Sequence, residues 1–184
     1  MKTLALLLAA GAAAAQTPLA RQLDEVARIA SVMMDGDVAR RIQTPRSQAS
    51  MLEKNPRDRW GAADNYDVNH EAFIGAKKTL MRLARLCPLA CDVNLWMPVP
   101  STPPRIHVVI RNVNEISQFW PWGALHQEMP PEMQRVLEKG ERVTVTRQRG
   151  IVSVLAPVYD SLGDIAGLVE VTARADGDPQ ENVK

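Results

Sequence analysis

Arg111 and the loop at 120–123 are the part of this chain whose residue types and spacing best suit a small-molecule site. Arg111 ends a predicted strand a few residues before Trp120-Pro121-Trp122-Gly123, so strand end and loop must lie close together. Proline and glycine keep the loop out of regular helix, which leaves its indoles free to line a concavity. An arginine beside such apolar walls can hold a carboxylate through two hydrogen bonds. The competing interpretation places both indoles in the hydrophobic core.

The other reactive side chains do not form a catalytic or metal-binding pattern. His70, His107 and His126 are scattered, without the H-x-x-x-H or H-E-x-x-H spacing of a metal site. Ser153 and Ser161 lack the Gly-x-Ser-x-Gly turn that exposes a nucleophile. The sequence therefore predicts no enzyme, no metal and no cofactor. Haem binding and catalysis are the weakest of the alternatives.

The chain opens with the three parts of a secretory signal peptide. Lys2 supplies the positive charge, the apolar run at 4–10 is too short to span a bilayer, and small residues precede Gln16. We expect cleavage after Ala15 and a periplasmic or secreted product without a membrane span; an uncleaved interfacial helix is the alternative. The 22 basic and 21 acidic residues balance, which argues against a nucleic-acid surface.

Cys87 and Cys91 are the only cysteines of the chain. Two thiols in an exported protein usually form a disulfide, and Pro88 between them favours a bend that brings the sulfurs together. Free thiols and a metal site are the alternatives. The C-x-x-x-C spacing is a weak metal signal because no second Cys or His pair lies nearby.

The apolar periodicity divides the chain into four parts. We expect a signal peptide at 1–15, a long helix and irregular connector at 16–65, a domain at 66–175 and a polar tail at 176–184. In the domain, helical spacing runs from 67 to about 86, with Asn65 or Asp67 as its cap. Spacing of period two then predicts strands at 93–99, 105–111 and 142–148. A continuous apolar run predicts a buried strand at 151–159, and the last strand follows a tight turn at 164–172.

The pattern also predicts the faces of the second strand and the character of the segment after it. The second strand should carry Ile106, Val108 and Ile110 on one face, since side chains alternate along a strand. The stretch 113–140 should be helical and looping, with a short helix at 131–139 that Gly140 ends.

The long helix is predicted over 18–43. An apolar seam recurs along it at alternating spacings of four and three, formed by Leu19, Leu23, Val26, Ala30 and Met33. Such a narrow seam leaves two interpretations open. The helix packs on its own domain, or the seam joins two copies of the chain in a homodimer.

The order of elements predicts an α+β fold with a five-stranded antiparallel sheet flanked by helices. Within it the segment 151–171, IVSVLAPVYDSLGDIAGLVEV, has an apolar strand that ends in a proline and a Tyr-Asp turn, and a returning strand with a small residue at Gly167. This segment resembles the closing hairpin of the Cache family, the extracytoplasmic relatives of PAS sensor domains. The element order extends the resemblance over 18–174 and implies a single PAS-like module. The Tyr/Arg/Trp/Tyr/Asp set of the family's amino-acid-sensing members does not fit the spacing here, so no particular ligand is implied.

In a PAS-like fold the pocket would lie between the sheet and the segment 113–140. The expected ligand-binding residues come from that segment and the facing strands: Trp96, His107, Arg111, Trp120, Trp122, His126 and Tyr159. Pockets of this kind combine apolar walls with a few polar anchors. The sequence thus favours an exported ligand-binding or sensor domain for a small organic molecule, with a carboxylate as the class that suits Arg111. A structural or partner-interaction domain without a ligand is the alternative.

Overall fold

Six antiparallel strands form one sheet in the computed structural model, which describes residues 17–53, 69–120, 124–148 and 150–175. The strands are β1 (Cys91–Val99), β2 (Arg105–Ile110), β3 (Gln127–Glu128), β4 (Val143–Val145), β5 (Ile151–Tyr159) and β6 (Ile165–Arg174). Their order across the sheet is β3-β2-β1-β6-β5-β4. The chain is therefore α+β, as predicted, but the expected count of five strands is wrong. The extra strand β3 is a two-residue pairing at the edge, too short to leave an alternation pattern.

A β-bulge between β1 and β2 overturns one predicted strand face. Leu95 lies opposite Ile110 and Trp96 lies opposite Val108, so Val109 is an extra residue on β2. Because of the bulge, Ile110 packs in the same core cluster as Leu95, on one face of the sheet. Ile106 and Val108 pack in the cluster on the opposite face, with Trp96. A pattern of period two predicts a common face for all three because it assumes an unbroken ladder.

The expected single helix over 18–43 is two helices, α1 (Pro18–Met33) and α2 (Gly36–Ile42). The chain breaks at Asp35, whose side chain caps α2 by accepting from the amides of Asp37 and Val38 at 2.8 and 3.1 Å. Gly36 lies against the end of β5, where a Cβ atom would come within 2.6 Å of the Tyr159 carbonyl oxygen. The turn between the helices thus follows from a tertiary contact that needs glycine.

The seam of α1 packs inside its own chain. Leu23, Val26 and Ala30 are buried in one core cluster with residues of β1, β5 and β6, and Leu19 packs against that cluster. Met33, the last seam residue, is exposed. Of the two interpretations left open by the sequence, the structure shows packing on the helix's own domain.

The next helices are α3 (Pro45–Glu53), whose Met51 packs with Val99 and Leu125, and α4 (His70–Ala84), which joins the layer of α1. The stretch 44–65 was expected to be irregular, but α3 occupies its first part; residues 54–65 lie outside the described residues. Asn69 caps α4, accepting from the Ala72 amide at 3.2 Å. The expected caps Asn65 and Asp67 lie outside the described residues. α4 buries Ala76, Leu80 and further small and apolar side chains in the cluster that holds α1.

The opposite face of the sheet is covered by α5 (Pro131–Lys139) and by the segment between β2 and β3. Gly140, at φ +67°, ends α5 as predicted. The described residues between 111 and 130 contain no helix, so α5 is the helix found in the described part of 113–140. Within the described ranges no helix is long and apolar enough to cross a bilayer. The predicted leader and the polar tail at 176–184 lie outside them.

Candidate ligand-binding site

Polar side chains cluster on the sheet face opposite α1 and α4, at the middle of the sheet. Asn94 of β1 lies directly opposite Glu170 of β6, and Asp92 lies opposite Thr172. Ser153 of β5 faces Thr172 from the other side. All five are buried, although the strands that carry them are otherwise apolar. Buried polar groups are costly unless hydrogen bonded, so their partners decide what this cluster does.

Glu170 is the centre of the cluster and is fully buried. Its Oε2 accepts from Ser117 Oγ at 2.7 Å, Trp96 Nε1 at 3.1 Å and Asn94 Nδ2 at 3.4 Å. Its Oε1 accepts from Ser153 Oγ at 2.8 Å. Burial raises the pKa of Glu170 above its ordinary value, and the four donors act in the opposite direction. No cation pairs with this carboxyl among the described residues, so hydrogen bonds alone compensate for its burial.

Asp92 and Asn94 hold the backbone that follows β2. Asp92 accepts from the amides of Ile116 at 2.7 Å and Asn114 at 3.1 Å. Asn94 accepts from the Asn112 amide at 3.0 Å and donates to the Ile116 carbonyl at 2.9 Å. Burial raises the pKa of Asp92, while the hydrogen bonds from Ile116 and Asn114 oppose that rise. We call the segment 112–117 the strap, since these two side chains fasten it to β1.

Glu115, within the strap, has a φ of +52°. This left-handed conformation costs a non-glycine residue roughly 1–2 kcal/mol, so it persists only where neighbouring contacts impose it. The hydrogen bonds on both sides of Glu115 supply that constraint, and they fix the direction in which its side chain leaves the strap.

A narrow crevice lies between the strap and the sheet. It is lined by Asn94, Trp96, Val108, Arg111, Glu115, Ile116, Ser117 and Trp120. The Arg111 guanidinium carbon lies 4.0 Å from the centre of the Trp120 ring, and Arg111 Nη1 lies 3.5 Å from Glu115 Oε1. In this structure the crevice is too narrow to hold a water molecule. Arg111 and Trp120 therefore close the mouth, while three of the Glu170 donors form the floor.

The structure brings together three of the seven predicted site residues: Trp96, Arg111 and Trp120. His107 belongs to the opposite face of β2 from Val108, and His126 lies beside it at the sheet edge, where its Nδ1 accepts from Arg105 Nε. Burial and the neighbouring His126 lower the pKa of His107 to about 4. Tyr159 lies at the far end of β5, against Gly140. Trp122 lies outside the described residues.

The two histidines do not form a metal site on this geometry. Among the described residues, the buried Nε2 atoms of His107 and His126 have no hydrogen-bond partner. Because Nδ1 of His126 accepts from Arg105, its proton lies on Nε2 in the neutral ring, and that nitrogen has no lone pair for a metal. Among the described residues no group of three or more His, Cys, Asp or Glu side chains could hold a metal ion. Cys87 and Cys91 are disulfide-bonded, with 6.2 Å between their Cα atoms.

Sequence reasoning missed Asp92, Asn94, Ser117 and Glu170. The available signal was polar side chains inside strands that otherwise read as buried, such as Glu170 within Gly-Leu-Val-Glu-Val. Comparison with family models, curated proteins and solved structures finds no match to this chain.

Proposed function

We propose that this chain is an exported ligand-binding or sensor domain of the PAS-like Cache type, and that it binds a small organic molecule in the crevice under the strap. The contact between Arg111 and Trp120 carries this proposal. An arginine and an indole meet at the mouth of a crevice whose floor is polar and fully hydrogen bonded. Binding sites combine apolar walls with a few fixed polar groups in this way.

The layers of the fold support the proposal. The sheet is antiparallel, helices cover one of its faces, and the strap and α5 cover the other. The segment behind the family resemblance forms the paired strands β5 and β6, and Glu170 belongs to β6. Export rests on the predicted leader, and the intact mass of protein from a periplasmic extract tests cleavage after Ala15.

A carboxylate is the proposed ligand class because Arg111 already holds one. Its partner Glu115 is an exposed side chain, and exposed ion pairs contribute only about 0–1 kcal/mol. A ligand carboxylate that reaches the guanidinium in the more enclosed crevice would replace Glu115 and form a stronger, charge-assisted pair. Opening the crevice requires movement of the Trp120 ring or of the strap.

The test begins with a thermal-shift screen of the purified protein against small carboxylates, amines and neutral molecules. The strongest stabilising compound is then titrated by tryptophan fluorescence against wild type, Arg111→Ala and Arg135→Ala. We expect Arg111→Ala to weaken binding about 10–100-fold, because a charge-assisted hydrogen bond contributes about 1.5–3 kcal/mol. Arg135→Ala, which removes a similar exposed ion pair from α5, is the matched control and should bind like wild type.

Glu115→Gln separates the ligand classes. If the ligand is a carboxylate, this change frees Arg111 and affinity should rise. A loss of affinity instead would mean that Glu115 binds a cationic group, and the carboxylate assignment would be wrong. If no compound stabilises the protein and Trp120→Ala only lowers its stability, the ligand-free structural or partner-interaction domain is the better description.

We propose no homodimer through the α1 seam, since its central residues are buried in the chain's own core. Nucleic acid is an unsuitable partner for a chain whose basic and acidic residues balance.

A further inference from the structure

Five large apolar side chains are exposed along α4, the loop after it and the neighbouring strap. Their exposed fractions are 48% for Ile74, 38% for Met81, 53% for Leu86, 40% for Leu89 and 70% for Val113. Ile74 and Met81 are seven residues apart on one helix and so share a face. Val113 and Met81 line the same open groove, of about 240 Å³. Ile74, Met81 and Val113 therefore share one surface, and Leu86 and Leu89 lie on the loop that directly follows α4.

Basic residues alternate with the apolar ones on this surface. Lys78 is four residues after Ile74, and Arg85 is four residues after Met81, so each basic residue is a neighbour of an apolar one on the helix face. Arg82 is exposed beside them. None of the three forms an ion pair or a side-chain hydrogen bond within the described part of the chain. Six arginines elsewhere do pair with carboxylates: Arg28, Arg40, Arg111, Arg135, Arg142 and Arg147.

The surface is also held in place before it meets a partner. α4 is packed on the sheet through its opposite face, and the Cys87–Cys91 bond closes the loop that carries Leu89. Side chains on such a fixed frame lose little backbone freedom when they bind. A second copy of the chain is a poor occupant, because two-fold pairing of this face would bring like charges together.

We propose that this surface, which we call the α4 face, docks on an anionic phospholipid bilayer. Apolar side chains among basic ones on a folded surface are the combination that binds the interface of acidic membranes. Ile74, Met81, Leu86, Leu89 and Val113 enter the headgroup region, and the three basic side chains contact lipid phosphates. The interaction is peripheral.

The test is cosedimentation of the purified exported protein with vesicles. Vesicles of phosphatidylglycerol and phosphatidylcholine in equal parts are compared with phosphatidylcholine alone, at low and at high salt. We expect binding to the anionic vesicles that salt weakens. The double variant Arg82→Gln/Arg85→Gln should lower the partition coefficient about thirty-fold, since each basic residue near an acidic surface contributes about five-fold.

A matched control separates this face from overall charge. Arg21→Gln/Lys139→Gln removes two exposed basic residues from α1 and α5 and changes the net charge equally. It should leave vesicle binding close to wild type. Leu89→Gln removes apolar surface at constant net charge and should reduce binding, and its melting temperature checks that the variant is folded.

Three results would overturn the proposal. If wild type does not bind anionic vesicles at low salt, the membrane proposal is wrong and the face suits another partner, such as an acidic protein. Equal losses in the two double variants would mean that net charge alone drives binding. If Leu89→Gln binds as well as wild type, the apolar side chains do not contribute to docking.

Discussion

Replacement of Glu170 by glutamine changes one charge at the centre of the site and keeps its shape. The amide oxygen can take the place of Oε2 and accept from Ser117, Trp96 and Asn94. The amide nitrogen then faces Ser153 Oγ, which can accept from it and donate instead to Thr172 Oγ1 at 3.0 Å. The three donors to Oε2 keep an acceptor and one N–H of the new amide pairs with Ser153, while its second N–H has no named partner. We therefore expect Glu170→Gln to fold and to lie within about 1–3 kcal/mol of wild type where Glu170 is protonated.

The stability difference should then depend on pH with a fixed sign. Burial raises the pKa of Glu170 in the folded chain above the ordinary value of 4.5. Between these two pKa values the folded state binds one proton more than the unfolded state, so wild type loses stability as pH rises through that window. The slope is about 1.4 kcal/mol per pH unit for one proton. Glutamine does not titrate, so Glu170→Gln should gain stability relative to wild type as pH rises.

Urea denaturation followed by tryptophan fluorescence measures this difference, from about pH 4.5 to about pH 8.5. Other titrating groups are common to both proteins and cancel to first order in the difference. A difference that is constant over this range would show that the pKa of Glu170 is not raised. If Glu170→Gln instead becomes relatively less stable with rising pH, the four donors stabilise the ionised carboxylate more than burial penalises it.

Three further predictions test the fold. Gly36→Ala should destabilise the chain by about 1–3 kcal/mol, because the new Cβ would meet the end of β5. Gly75→Ala, on the open face of α4, should instead stabilise it by about 0.5–1 kcal/mol, and urea denaturation measures both changes. Cys87 and Cys91 should give no reactive thiols in denaturant before reduction, and two reactive thiols per freshly isolated chain would contradict the bond. Light scattering at roughly tens of micromolar should find a monomer, and a dimer that Leu23→Glu dissolves without unfolding would refute the internal packing of the α1 seam.

The sequence alone was sufficient for elements whose signals are local. β5 and β6 were predicted because a continuous apolar run, a tight turn and a second run need only neighbouring residues to be recognised. Gly140 ended α5 where predicted, since a helix C-terminus is a local backbone event. The closeness of Arg111 and Trp120 followed from the short chain between them.

Features that depend on contacts between distant segments were decided only by the tertiary structure. The break between α1 and α2 follows from the contact of Gly36 with β5, and the bulge at Val109 depends on how β2 meets β1. The donors to Glu170 come from β1, β5 and the strap, up to 76 residues away along the chain. Periodicity reports which side of an element is apolar, but it carries no information on which polar groups from other segments meet there. The sequence therefore showed the floor of the crevice only as isolated polar residues within apolar strands. Their meeting in one site depends on the tertiary structure.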